Sequence, residues 1–421
     1  MKWIVENFFK DPDIVMRELK SYWLKNEAQQ KIIDGFSENT ISNFHLPFGV
    51  APNFVINGKA YCIPMVIEES SVVAAASSAA KFWMNKGGFS ASVIETEKIG
   101  QVHFLCKSDK AKLFETFNHF KNILINEAKS ITCNMEKRGG GIKSVKLLDL
   151  SSEVDSLFQL KVSFDTCDSM GANFINSVLE NFAQTLQNHF DVEIVMSILS
   201  NYTPNCLVKA SVECPIEQLA DAHPEMDGKS FAEKFELAIK IAHLDIHRAT
   251  THNKGIFNGI DALVLATGND FRAIEACGHT YAARDGQYRS LSHCSIENGI
   301  FKFWLEIPLA IGTVGGLTSL HPIAKRSLEL LGNPDAEELM KIMATLGLAQ
   351  NFAAVKSLIT TGIQKGHMKM HLSNILIQLE ASDEEEIMVK DYFENRVISF
   401  NDVRSYLENQ RAQKIQNLSS Q

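Results

Sequence analysis

Residues 96–204 carry the pattern that most restricts the fold. Strand-like alternation falls at QVHFLCK (101–107), KSVKLLDL (143–150), FQLKVSFDT (158–166) and EIVMSILSNY (193–202), and helical periodicity fills 109–130 and 169–190. The resulting order, β-α-β-β-α-β, closes as two helices on one face of an antiparallel sheet, the ferredoxin-like arrangement. The sequence on either side has a different rhythm. This unit is therefore predicted to be inserted into a larger, mainly helical domain of an α+β protein.

Residues 1–45 read as amphipathic helical segments that end at His45-Leu46-Pro47, because proline disfavours helix in the residue before it. Asn57-Gly58 predicts a turn, YCIPMVI a strand, and EESSVVAAASSAAKFW a helix whose Ala and Ser surface lets another backbone come close. Long helices return after 205 in FAEKFELAIKIAHLDIH and IDALVLATGNDFRAIEACGHTYAAR. Strand-like SHCSIENGIFKFWLEIP and glycine-rich GTVGGLTSLHP follow, then two more helices, a charged break at ASDEEE and a polar helical tail. The expected division is 1–95 and 205–362 for the large domain, 96–204 for the insert and 363–421 for a C-terminal helical flap.

The 421 residues, 45% of them hydrophobic, suffice for the cores of two or three domains. Eight scattered cysteines without a C-x-x-C pair favour reduced thiols over a disulfide framework or a zinc site. The N-terminus reaches Glu6 and Asp11 before any signal-type apolar stretch forms, and no apolar run approaches the ~20 residues of a bilayer span. A soluble cytoplasmic protein with no membrane partner is expected. The net charge of -9 argues against nucleic-acid binding, which relies on a positive field. Small anionic ligands stay open, since a local cluster of donors suffices for them.

Several residues admit both a structural and a chemical reading. Lys254 in RATTHNKGIFNGIDALVLATGNDFRA (248–273) is read at the start of a helix, where the dipole disfavours a cation by ~0.3–1 kcal/mol; it is either a solvated lysine or one kept for a purpose. Asp270 can be a plain helix cap. Glu69 suits a helix N-terminus, or a dry cleft where desolvation would let it deliver protons near neutral pH. His367 pairs with His371 at i, i+4, as His243 does with His247, yet H-E-x-x-H is absent and no metal is expected. Asp168, Gly171 and Ala172 in DSMGAN open a helix at which a phosphate could dock, and Lys137-Arg138 precede a triple glycine in the same unit.

Taken together, ENTIS (38–42), LPFGVAPNFVING (46–58), EESSVVAAAS (68–77), DSMGAN (168–173), RATTHNKGIFNGIDALVLATGND (248–270), GLAQN (347–351) and GHM (366–368) resemble the class II 3-hydroxy-3-methylglutaryl-coenzyme A reductases, in family order over nearly the whole chain. The resemblance implies a homodimer or higher homo-oligomer, with the insert binding the nicotinamide nucleotide. It implies a catalytic set of Glu69, Lys254, Asp270 and His367, and substrate contacts from Ser71, Arg248, Asn258 and Gln350. Near the cofactor it implies Asp168, Met170, Gly171, Asn173, Asn201 and Asn351, to which the basic Lys137 and Arg138 add. The implied reaction interconverts 3-hydroxy-3-methylglutaryl-CoA with mevalonate and CoA by two hydride transfers. In it Lys254 steadies the oxyanion, Asp270 holds Lys254 charged and aimed, His367 protonates the departing thiolate, and Glu69 supplies the last proton.

Two departures from the family pattern bear on this. Ser70 stands where a proline is frequent. Thr132 stands where NAD-preferring relatives carry an aspartate, and with Lys137 and Arg138 nearby a 2′-phosphate would be tolerated, so NADPH and the biosynthetic direction are expected over NADH. The alternatives are NAD-dependent mevalonate degradation, a non-catalytic CoA- or nucleotide-binding homologue, or an acyl-CoA transferase or thiolase-like enzyme, for which no cysteine sits in a recognisable activated setting.

Overall fold

The structure, a computed structural model, describes residues 1–108, 110–360, 372, 373, 375–393, 396 and 398–419. Three short helices lead the chain: α1 (Lys2–Phe8), α2 (Pro12–Ser21) and α3 (Glu27–Asp34). Proline at the first position starts α2, and the Asn26 side chain accepts from the backbone N–H groups of Ala28 and Gln29 to start α3. Within them only Val5 and Gln30 are buried. Trp3, Phe8 and Ile14 are left exposed.

β1 (Phe48–Ile56) and β2 (Lys59–Val66) form an antiparallel hairpin. Asn57 and Gly58 both have positive φ, as a tight two-residue hairpin requires. The next helix, α4 (Val72–Met84), buries Val72, Ala76, Ala79, Ala80 and Trp83, its alanines letting it lie close on β1.

β3 (Ser90–Val93) joins another sheet, which the chain then leaves. β4 (Lys98–Cys106), α5 (Lys110–Glu127), α6 (Lys129–Glu136), β5 (Gly141–Asp149), β6 (Leu157–Asp165), α7 (Ala172–His189) and β7 (Val192–Leu199) follow. Their strands pair antiparallel in the order β5-β6-β4-β7 around a core of their own, including Phe104, Phe158, Phe164 and Phe182. The chain returns as β8 (Leu207–Pro215), with Ser90–Val93 of β3 paired to Ser211–Val208. Exit and re-entry are thus neighbours in one sheet, so a whole folded unit lies between two adjacent strands without disturbing their pairing.

That sheet is completed by the hairpin of β9 (Ser292–Glu297) and β10 (Ile300–Pro308), in the order β3-β8-β10-β9. Around it pack α8 (Gly228–Leu244), α9 (Ile246–Ala266), α10 (Phe271–Ala282), the short α11 (Gly316–Leu320), α12 (Pro322–Leu330) and α13 (Ala336–Ile359). α13 is the one described helix long and apolar enough to cross a membrane, but most of it is buried in the protein core. Two further helices, Asp383–Tyr392 and Phe400–Ser419, share a small separate core with Leu372, Ile375 and Leu376.

Four local expectations are corrected. The helix predicted over 109–130 breaks at Ala128 into α5 and α6. The strand-like run after 291 is a hairpin, turned by Asn298 and Gly299 at positive φ. The helix read through LATGNDFRA breaks at Gly268, whose φ of +70° ends α9, and Asp270 caps α10. Lys254 does not start a helix: α9 begins at Ile246, where the Asp245 carboxylate accepts from the N–H groups of His247 and Arg248. Lys254 lies in the third turn, out of reach of the dipole penalty.

Candidate active site

The exposed face of α9 carries Lys254 and, one turn further, Asn258, which is half-buried. Lys254 reaches across to the segment before α4, where its Nζ donates to Glu69 Oε2 at 2.8 Å. Both side chains keep contact with solvent, 60% exposed for Lys254 and 40% for Glu69, so Glu69 does not occupy the dry cleft expected of it. Two residues on, Ser71 has φ +75° and makes no side-chain capping bond to α4. A left-handed conformation costs a non-glycine residue ~1–2 kcal/mol, and strain of this kind gathers at functional sites.

Gln350 of α13 packs against the buried side of α9 because Gly259 lacks a side chain. A Cβ at Gly259 would lie 3.0 Å from both Gln350 Cβ and the Leu346 carbonyl oxygen, so only glycine lets the two helices approach this closely. Gln350 is buried, and its Oε1 has no partner among the described residues. Arg248, half-buried, forms no ion pair among the described residues, and burial draws its guanidinium below its usual pKa.

Asp270 stands apart from this pair. Its carboxylate accepts from the backbone N–H groups of Arg272 and Ala273 and from the Arg272 guanidinium at 3.0 Å. Burial opposes its ionisation, but these donors outweigh burial and hold its pKa below the ordinary value. The cap and the charge thus coexist, although the described partner is Arg272 rather than Lys254. Asn351, expected near a cofactor, is fully buried: its Oδ1 accepts from Ser292 Oγ at 2.8 Å and its amide donates to the His252 carbonyl at 3.3 Å.

The second cluster lies on the inserted unit. Asp168 does not cap α7, whose N-cap is Gly171 at φ +86°. Asp168 Oδ1 instead accepts from the Ala336 N–H at 2.9 Å, at the first residue of α13, whose own N-cap is Asp335. Gly171 is required here, since a Cβ would fall 2.4 Å from Thr166 Cγ2. Asn173 and Asn201 are exposed, and Asn201 shares a narrow slot with Met170. Lys137 and Arg138 are exposed without a carboxylate partner among the described residues. Their loop lies against the 166–171 turn, with Cys167 Sγ donating to the Arg138 carbonyl at 3.4 Å. Thr132 faces inward, fully buried, and its hydroxyl donates to Glu136 Oε1 at 2.7 Å, so it cannot be the residue that meets a ribose.

The two clusters are tied together. Asn269 Oδ1 accepts from the Gly312 N–H at 2.8 Å, and the Thr313 N–H donates to the Asp168 carbonyl at 2.9 Å. The residue before Asp270 thereby holds the loop on which the Asp168 turn rests. His367 and His371 lie outside the described residues. His243 and His247 are not one helical turn apart, because Asp245 between them ends α8 and caps α9.

The sequence reading missed the polar core behind Lys254. Asn253 accepts from the Leu291 N–H and donates to the Arg289 carbonyl, and His252 Nε2 lies 2.7 Å from Ser292 Oγ. Burial first, then Arg248 and His243, push His252 down to about 3, so it is neutral at physiological pH. The available signal was the pair His252-Asn253 on the inward side of an otherwise apolar helix.

A family model described as hydroxymethylglutaryl-coenzyme A reductase matches residues 7–372. The chain is 40% identical over 368 residues to a 3-hydroxy-3-methylglutaryl-coenzyme A reductase of Archaeoglobus fulgidus, covering 86% of this chain and 82% of that protein. It is 34% identical over 367 residues to a probable enzyme of the same name from Borreliella burgdorferi, covering 86% and 83%. Among solved structures, the class II 3-hydroxy-3-methylglutaryl-CoA reductase of Streptococcus pneumoniae bound to NADPH in open conformations superposes with a TM-score of 0.74 at 36% identity, covering 86% of this chain and all of that one.

Proposed function

Because this chain belongs to the class II hydroxymethylglutaryl-coenzyme A reductases, we propose that it reduces 3-hydroxy-3-methylglutaryl-CoA to mevalonate and CoA at the face of α9 that carries Lys254. The observation that carries the assignment of roles is the Lys254–Glu69 bond, a cation and a carboxyl group in direct contact two residues from strained Ser71. Two molecules of reduced nicotinamide dinucleotide, bound in turn, would each supply one hydride. The residues suit such a group: glycine alone fits at the start of α7, the N–H groups of its first turn lack helical partners, and two unpaired cations adjoin it.

Each hydride delivery places negative charge on a carbonyl oxygen, and the ammonium of Lys254 stabilises it. Glu69, already bonded to Lys254, supplies a proton as the aldehyde becomes an alcohol. Asp270 adds a second carboxylate to the set, and His367 protonates the departing thiolate. Ser71, Arg248, Asn258 and Gln350 hold the substrate, with the unpaired guanidinium of Arg248 suited to its carboxylate. Asp168, Met170, Gly171, Asn173 and Asn201 receive the dinucleotide.

NADPH and the reductive direction are favoured by the unpaired Lys137 and Arg138 and by the NADPH named for the Streptococcus pneumoniae structure. The buried Thr132 no longer contributes to that preference, and the nearby Glu136 carboxylate weighs toward NADH. The functional unit is proposed to be a homodimer in the cytoplasm. The exposed Trp3, Phe8, Ile14 and Phe44 offer apolar surface for a second copy to cover, and eight free cysteines suit a reducing compartment.

The test is oxidation of NADPH and of NADH, each at matched concentration with 3-hydroxy-3-methylglutaryl-CoA, alongside light scattering for the assembly. Thioester-dependent oxidation supports the reductase reading, and a faster rate with NADPH supports the cofactor preference. No oxidation of either by folded protein would leave a non-catalytic CoA-binding homologue.

A further inference from the structure

Lys98, the first residue of β4, has 5% of its surface exposed, yet it forms no ion pair among the described residues. Its Nζ donates to Thr166 Oγ1 and, at 2.8 Å, to the Ser169 carbonyl. Both acceptors are neutral, and an ammonium has a third N–H to give. Burying a cation without a bonded carboxylate is costly: burial draws the Lys98 pKa below its ordinary value, and Cys206, Asp165, Cys167 and Asp168 favour its charge only from a distance. A chain needing only a filled core would place a methionine or leucine here.

The surroundings give the cation a use. Thr166 Oγ1 itself donates to the Ser169 carbonyl at 2.6 Å, so Lys98 and Thr166 grip the same oxygen from two sides. That grip sets the turn in which Cys167 has φ +48° and Gly171 fits against Thr166 with no room for a Cβ. The remaining surface of Lys98 lines the slot formed by Met170, Ala172, Asn201 and Ala273. The lysine therefore sits directly beneath the first turn of α7, on the side facing the proposed dinucleotide site.

We propose that Lys98 is the positioning residue of the dinucleotide site: its ammonium holds the 166–170 turn so that the N–H groups of α7 face the cleft, and its unshared positive charge favours the dinucleotide's phosphates. This rests on the nicotinamide site proposed above. It adds a buried cation beneath Asp168 and Met170 that acts through the turn they stand on.

The test measures binding of NADPH and of 3-hydroxy-3-methylglutaryl-CoA separately, by titration calorimetry, for the full chain and for Lys98→Met. The NADPH dissociation constant is expected to rise about tenfold or more, the scale of a lost charge-assisted hydrogen bond. The thioester constant should stay within about twofold, and Lys98→Arg should recover much of the NADPH affinity. Equal NADPH affinity in Lys98→Met, or equal losses for both ligands, overturns the proposal. Absence of NADPH and NADH binding by the unsubstituted chain would overturn the nicotinamide site and this proposal together. If Lys98→Met does not fold, Thr166→Ala decides: weakened NADPH binding with intact thioester binding supports the proposal, and unchanged NADPH binding overturns it.

Discussion

Lys254 and Glu69 stand 185 positions apart in the chain and touch, Nζ to Oε2, at 2.8 Å. Because both side chains are well exposed, the bond contributes little to folding, at most ~1 kcal/mol for a pair of this kind. Lys254→Ala is therefore expected to leave the urea midpoint nearly unchanged while lowering kcat by roughly 10²–10³, as loss of an oxyanion donor does. Turnover at the parent rate from folded Lys254→Ala would remove the lysine from the mechanism.

Asp270 allows its two roles to be separated. Asp270→Asn keeps an acceptor for the N–H groups that start α10 but gives up the charge; Asp270→Ala loses both. Urea unfolding should show the alanine variant less stable by about 1 kcal/mol and the asparagine variant close to the parent. If the carboxylate takes part in catalysis, both variants lose turnover. If only the alanine variant does, Asp270 is a cap.

Half-buried Asp261 and buried His252 set opposite pH limbs. Asp261 is pushed up to about 8 by burial and then by Glu275, from an ordinary 3.8. Between those values the folded chain keeps a proton that the unfolded chain has released, so this group removes stability as pH rises from about 4 to 8. Asp261→Asn should be the more stable chain at pH 8, with the difference shrinking toward pH 4. His252, at about 3 when folded against an ordinary 6.5, acts in the other direction: the unfolded chain gains a proton the folded one refuses, and stability falls as pH drops below about 6.5. His252→Gln should flatten that acid limb in urea titrations at pH 5 and 7.

Gly171→Ala would force a side chain onto Thr166 and into positive φ. The backbone penalty alone is ~1–2 kcal/mol. Thermal unfolding should register the loss, and the dissociation constant for NADPH should rise while that for the thioester holds.

The strands of the inserted unit were legible because alternation is strict in FQLKVSFD and partial in the other three runs, and the observed β4, β5, β6 and β7 lie within a few residues of the runs that announced them. The start of α9 was misplaced because the apolar pattern begins late, whereas the deciding event is the pair of N–H bonds accepted by the Asp245 side chain, three residues before the quoted motif. Glu69 and Lys254 were legible only through resemblance: nothing local in either segment says that the two meet. Asp168 was read as the cap of α7, a place Gly171 takes; its carboxylate instead bonds the Ala336 N–H, 168 residues away, a partner that no local pattern announces. Thr132 was placed at the nucleotide by resemblance, and its burial on α6 was not legible because the predicted helix ended at 130.

That distant bond has a mechanical consequence. α13, capped by Asp335 and bonded at its first residue to the Asp168 side chain, passes Gln350 and Asn351 and ends at Ile359, just before the segment that holds His367. At 1.5 Å per residue it is a strut of about 36 Å, packed along nearly all its length. The turn that would receive a dinucleotide and the root of the C-terminal segment are therefore two ends of one stiff body, so a displacement imposed at either end is felt at the other without any wire of intermediate residues.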